Sequence, residues 1–267
     1  MDSVITDKYG LYHGDCLNIL QRIENNTIQL CLCDLPYGVL NKSNKAAQWD
    51  KPIDLKLLWK ELKRVGTDNC AFIFFASGLF THDLIESNRK DFKYTLVWDK
   101  KVVTGFLNAK KQPLRRHEDI LVFYQKQCVY NPQFTKGKPS HIRGENAKSC
   151  NRLWGSTEVE AQKIVNVKKY TDEKYPTSIL LFEKNIHVLN HPTEKPVSIL
   201  EYLIKTYSNE GDVVLDPTMG SGSCGEACLN TQRIFIGIEM NDTWFAFAKK
   251  RIENKIKENN NETQNCL

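Results

Sequence analysis

The chain has 267 residues, a mean hydropathy of −0.46 and a formal charge of +5. That length favours a single domain around one sizeable core, and no run reaches the roughly 20 apolar residues that a membrane span requires. The opening "MDSVITDKYG" lacks a basic segment followed by an apolar run, so a cytoplasmic or nucleoid protein is expected rather than a secreted one.

In chain order, "TIQLCLCD" predicts a buried strand, which ends on Asp34 and is followed by "LPYG". A polar loop from Gly38 to Asp50 leads to "LKLLWKELKRV", which has helical spacing. "CAFIFFAS" predicts a second strand and "GLFTHDLIESNRK" a helix. "YTLVWDK" and "DILVFYQK" predict two more strands, with a basic loop from Lys100 to Arg116 between them. Periodicity weakens from Cys128 to His191. It resumes with the amphipathic "VSILEYLIKTYS", the strands "DVVLD" and "RIFIGIE", and the helix "DTWFAFAKKRIENKIK". Alternating strands and helices indicate an α/β sheet. The last ten residues, 258–267, read as a polar, disordered tail.

Charge is uneven: Lys93 to Arg152 holds 13 Lys and Arg against four Asp and Glu. A solvated basic face or a polyanionic partner would both account for it. Nine cysteines, with Cys31 and Cys33 or Cys224 and Cys228 too irregularly spaced for a zinc site, predict free buried thiols and no metal.

"DVVLDPTMGSGSCGEACL" sets a glycine-rich turn between a strand and a helix, and Glu239 ends the following strand. Taken alone, the turn fits nucleotide binding, including by a nicotinamide dehydrogenase, or close strand-to-helix packing. Only 28 residues follow Glu239, too few to complete such a sheet, so the N-terminal part must complete it. Read circularly, Asp216, Glu239, Asp15 and Asp34 all fall at carboxyl ends of strands, where open α/β sheets bind ligands. Helix capping would account for any one of them.

These motifs, in this order, resemble the β group of S-adenosylmethionine-dependent DNA amino-methyltransferases, and among them the small stand-alone methylases common in phages. "DLPY" (Asp34, Leu35, Pro36, Tyr37) resembles the catalytic motif, with Leu35 in place of a proline. "DPTMGSGS" (Asp216 to Ser223) resembles the cofactor loop, "HPTEKP" (His191 to Pro196) the closing motif, "HGDCLNIL" the adenine-side motif and "IGIE" the ribose-side strand end. The resemblance implies a Rossmann-like methyltransferase sheet in circularly permuted order with an inserted target-recognition region. It divides one domain, 1–257, into a catalytic part (1–127), a recognition insert (128–190) and a cofactor part (191–257).

It further implies S-adenosyl-L-methionine held by Asp15, Thr193, Lys195, Asp216, Pro217, Gly220, Ser221, Gly222 and Glu239, and double-stranded DNA as substrate. Phosphates would meet Lys100, Lys101, Lys110, Lys111, Arg115 and Arg116, with Lys136, Lys138, Arg143 and Arg152 in the recognition segment. An exocyclic amine is a poor nucleophile because its lone pair is delocalised. The Asp34 carboxylate and the Leu35 carbonyl would accept its two hydrogens, Pro36 would fix the turn, and the Tyr37 ring would stack on the extruded base. No covalent intermediate is needed, so Cys31 and Cys33 read as core residues, and Trp98 and Trp154 as packing. Asp at the head of the motif points to adenine N6. Cytosine N4 is the first alternative, and an RNA or protein amine the second. A homodimer and a cognate restriction enzyme are compatible with the resemblance.

Overall fold

The computed structural model describes residues 3–37, 52–141, 170–184 and 194–265. The Gly38 to Asp50 loop and the candidates Arg143, Arg152, Trp154, His191 and Thr193 lie outside the described residues.

Two compact units emerge, one from residues 1–131 with 178–267 and one from Pro132–Thr177. The first is built on a sheet of β1 (Ser3–Ile5), β2 (Tyr9–His13), β3 (Ile28–Cys33), β4 (Gly66–Ala76), β5 (Phe92–Thr104), β6 (Arg115–Phe123), β9 (Ile179–Leu181), β10 (Val213–Asp216) and β11 (Ile234–Glu239). Their spatial order is β1-β2-β11-β10-β3-β4-β6-β5-β9. Strands β2, β11, β10, β3 and β4 are mutually parallel; β6 and β5 form an antiparallel hairpin beside them. Counted circularly from β10, the parallel strands run 3-2-1-4-5, a doubly wound sheet whose direction of winding reverses between β10 and β3. The circular reading therefore holds: β10 and β11, late in the chain, pair in parallel between β2 and β3.

Alternation sorts side chains to two faces. Leu30 and Leu32, with Ala71, Ile73 and Phe75, face one cluster, closed by α4 (Val197–Tyr207), α5 (Ser223–Asn230) and α6 (Asp242–Asn265). Cys31 and Cys33, with Phe72 and Phe74, face the other, closed by α1 (Cys16–Leu20), α2 (Leu55–Val65) and α3 (Leu79–Ser87); Ile28 joins this face across a register irregularity before Leu30. The seven described cysteines are free and buried, as expected. Trp98 is core, its indole N–H donating to the Phe182 carbonyl at 2.7 Å.

Three expectations change. Residues Lys100 to Thr104 extend β5 instead of opening a loop, pairing as far as Thr104 with Arg115. Strand β9, inside the segment expected as an insert, returns to the main sheet beside β5 because Leu180 is buried there. The polar tail continues α6 to Asn265, since adding residues to an existing helix is far easier than nucleating one. In the second unit, β7 (Thr135–His141) and β8 (Tyr170–Lys174) pair antiparallel, and Phe134 packs on Tyr175 with ring centroids 4.7 Å apart.

Candidate active site

Four acids end neighbouring parallel strands or follow them within two residues, and all line one cavity of about 1050 Å³ at the point where winding reverses. Asp34 follows β3, Asp216 ends β10, Glu239 ends β11 and Asp15 follows β2. Leu35, Pro36 and Tyr37 line the same cavity, with Leu35 buried beside the core. This leucine supplies apolar anchorage for the turn where the motif otherwise carries a second proline.

The Asp34 carboxylate accepts from the Tyr37 hydroxyl at 2.8 Å on Oδ1 and from Lys195 Nζ on Oδ2. Its backbone carbonyl accepts from the Thr218 hydroxyl at 3.1 Å, tying the catalytic turn to the glycine loop. Lys195 also faces Glu118 Oε2 at 3.5 Å, and Lys100 faces Glu118 Oε1 at 3.2 Å. Asp34, Lys195, Glu118 and Lys100 thus form one buried chain of alternating charge. Burial raises the Asp34 carboxyl above its ordinary range even though Lys195 pulls it down. Burial would also raise Glu118, but Lys195 and Lys100 hold it below the ordinary value. For Lys195, burial opposes the charge; Asp34 and then Glu118 outweigh it and keep the ammonium protonated.

This alters two expectations. Lys195 was expected on the cofactor side, yet its ammonium is committed to Asp34 and Glu118, above the Phe75 ring at 5.0 Å. Lys100 was expected on DNA phosphates, yet it is only 5% exposed and paired with Glu118. A charge desolvated this far persists only with such a partner. Tyr37 does present a ring at the cavity, but Phe80 stacks on it, centroids 4.6 Å apart at 26°.

The glycine turn forms a cradle. Gly220 and Gly222 both have positive φ (52° and 77°), a region costly for other residues. A Cβ on Gly220 would stand in open space, whereas one on Gly222 would come within 2.9 Å of Ala248. Gly225 serves packing, since its Cβ would strike Ile252 and Phe235. Both readings of the motif are therefore realised, at different glycines. Glu239 accepts the Gly220 N–H at 2.9 Å and the Asn241 N–H at 2.8 Å, one on each oxygen, leaving further lone pairs for a diol. Asp15 caps α1 through the Asn18 N–H at 3.1 Å and still lines the cavity. Burial lifts the Asp216 carboxyl to about 8, and Asp34 and Glu239 add to the shift. A buried acidic cluster of this kind fits a cationic ligand. S-adenosylmethionine carries a sulfonium and an ammonium, together with a ribose diol for Glu239, so the residues present fit that cofactor. Pro217 and Ser221 line the cavity as well.

Sequence reasoning missed Glu118, Thr218, Phe80 and Arg251. Arg251 on α6 reaches Glu194 Oε1 at 2.7 Å and Glu226 Oε2 at 2.6 Å, fixing the residue before Lys195 against the cofactor helix. The "EK" of "HPTEKP" was the available signal for a charge pair; nothing in it named the partners. Among the basic candidates, Lys101, Lys110, Lys111, Arg115 and Arg116 are exposed on or near the β5–β6 turn. Arg116 is held bidentate by Asp99 at 2.7 and 2.9 Å. Lys136 and Lys138 are exposed on β7 in the second unit.

A permuted doubly wound sheet with this glycine cradle and with Asp15, Asp34, Asp216 and Glu239 along one rim fits a methyltransferase dependent on S-adenosylmethionine. Residues 28–250 match the N6/N4 DNA methylase family, and the chain belongs to it. Similar proteins include the type II methyltransferase M.HpaI of Haemophilus parainfluenzae, 24% identical over 91% of this chain and 74% of that one. The DNA adenine methyltransferase YhdJ of Escherichia coli K12 is 26% identical over 91% of this chain and 82% of its own. Among solved structures, the M1.HpyAVI complex with S-adenosylmethionine superposes with a TM-score of 0.58 at 22% identity, covering 91% of this chain and 98% of that one. The protein is a DNA methyltransferase. Among the described residues, no helix is long and apolar enough to cross a membrane.

Proposed function

We propose that the protein transfers a methyl group from S-adenosylmethionine to the N6 amino group of adenine in double-stranded DNA. The observation that carries this reading is the Asp34 carboxylate at the rim, already engaged by an ammonium N–H and a hydroxyl. The carboxylate oxygens have lone pairs left for an exocyclic amine. The cofactor supplies an electrophilic methyl when bound. Asp34 and the Leu35 carbonyl orient the amine, drawing its lone pair out of the ring, and Thr218 holds the turn that presents them. Once methylated, the nitrogen is strongly acidic, so its proton leaves to a neighbouring acceptor or water. Asp34 need not be a general base.

Adenine is favoured by the aspartate heading the motif and by the name of the YhdJ relative; cytosine N4 is the alternative within the family. The recognition role falls to the Pro132–Thr177 unit, with Lys136 and Lys138. The type II names of relatives support pairing with a restriction enzyme. A DNA substrate would bring the protein to the nucleoid, and light scattering would test a homodimer. With methyl-labelled cofactor and unmethylated DNA digested to nucleosides, label should run with N6-methyladenine. Label on cytosine would overturn the base assignment, and sequencing of the product would give the target site.

Cofactor binding should release a proton. Asp216, at about 8, is largely protonated at pH 6 in the free protein, and a cation beside it favours the carboxylate. S-adenosylhomocysteine affinity should therefore rise from pH 6 to 8, by at most about tenfold per unit, and flatten above. Calorimetry in two buffers of different ionisation enthalpy measures this directly. Asp216→Asn should lose the slope; an unchanged slope would place the ligand ammonium elsewhere.

A further inference from the structure

We infer that the tip of the β5–β6 hairpin, led by Phe106 and Leu107, inserts into the DNA base stack and occupies the gap left when the target base leaves it. The inference rests on the DNA-methylating reading above.

The pairing of Thr104 with Arg115 closes the hairpin, and ten residues lie between them. That stretch is built rather than loose. Gly105, at φ 91°, turns the chain into a 3₁₀ turn (Phe106–Asn108). The Asn108 N–H donates to the Gly105 carbonyl at 2.9 Å, Ala109 to Phe106 at 3.0 Å and Lys111 to Asn108 at 2.8 Å. This turn presents Leu107 at 100% exposure and Phe106 at 68%. Adjacent large apolar side chains held in water by an ordered backbone mark a contact surface.

Charge identifies the occupant. From Lys101 to Arg116 there are five basic residues and no acidic one. An apolar tip ringed by cations suits a polyanion with an apolar interior, which describes a base stack between phosphate strands. Position agrees: Thr104 and Arg115, at the base of the tip, line the same cavity as Asp34 and Tyr37. The base that enters the cavity and the wedge that replaces it would therefore meet the duplex side by side. Apolar side chains flanked by Arg and Lys are the usual means of prising apart a base step.

The test uses the mapped target site in two duplexes, one with the target base paired and one with an abasic position opposite it. Phe106→Ser/Leu107→Ser alters only exposed side chains, and an unchanged melting temperature would check folding. Single-turnover methylation of the paired duplex should fall by about tenfold or more, with recovery to within roughly threefold of wild type on the abasic duplex, where extrusion is easier. A Lys110→Ala/Lys111→Ala variant should instead weaken both duplexes equally and reduce the salt slope by about two. Equal loss on both duplexes in the serine variant, or none on either, would overturn the wedge. So would a change in sedimentation mass, which would make the tip a contact between copies. Failure of the methylase reading looks different, because the wild type would then label neither duplex.

Discussion

Asp34→Ala should lower methyl transfer on the order of 10³-fold, the scale seen when a preorganised polar group at a reacting centre is removed, while leaving S-adenosylhomocysteine affinity unchanged within roughly threefold. The split follows from position. In the proposed reaction Asp34 would hold the amine, while Gly220, Glu239 and Asp216, from other parts of the rim, would hold the cofactor. Removing Asp34 even eases the ionisation of Asp216, which the Asp34 charge opposes. The variant should fold: Lys195 keeps Glu118 at 3.5 Å, so the loss stays below the roughly 3–5 kcal/mol of a fully orphaned buried charge. Asp34→Asn retains an acceptor oxygen and should fall between the two. Single-turnover rates beside calorimetric titration separate these effects. Parallel loss of rate and cofactor affinity would show that Asp34 belongs to the cradle instead.

How far this was legible in the sequence depends on the range of each interaction. The parallel strands were readable because burial on both faces writes continuous apolar runs such as "LCLC" and "CAFIFF". The glycine cradle was readable because a positive φ restricts residue type at Gly220 and Gly222. The permuted order followed from counting residues after Glu239. Glu118 was not readable: it lies within "HEDILVF", a strand whose acidic start looks like a solvated end, and its partners come from β5 and the segment before α4. Lys195 meets Asp34 across 161 residues. No periodicity records such a pair, so charge density alone put Lys100 on the surface. Strand β9 was missed for a similar reason. Three residues are too short to show alternation, and only pairing with β5 defines them.

Lys195→Met should cut methylation at pH 7 by about 10²-fold and move the acid limb of the pH–rate profile to higher pH. Burial already raises the Asp34 carboxyl, and Lys195 is the main group opposing that rise. Without the ammonium, the folded-state value climbs further, so a larger fraction of Asp34 is protonated and becomes a weaker acceptor than the carboxylate. The carboxylate is the better acceptor, so activity increases as pH rises through that value and part of the deficit should return as pH is raised. Stability should move with the same sign. A carboxyl raised above its unfolded value makes the folded state lose stability as pH increases towards the folded value, so the melting temperature of the variant should fall more with rising pH than that of the wild type. Glu118→Gln supplies the opposing control. It removes a negative charge that raises Asp34, so its acid limb should shift to lower pH although Lys195 loses its second anchor. A lysine acting only through packing would lower the rate equally at every pH in Lys195→Met and leave Glu118→Gln without a shift. Opposite displacements in the two variants therefore separate a charge that keeps Asp34 ionised from a side chain that merely fills the space above Phe75.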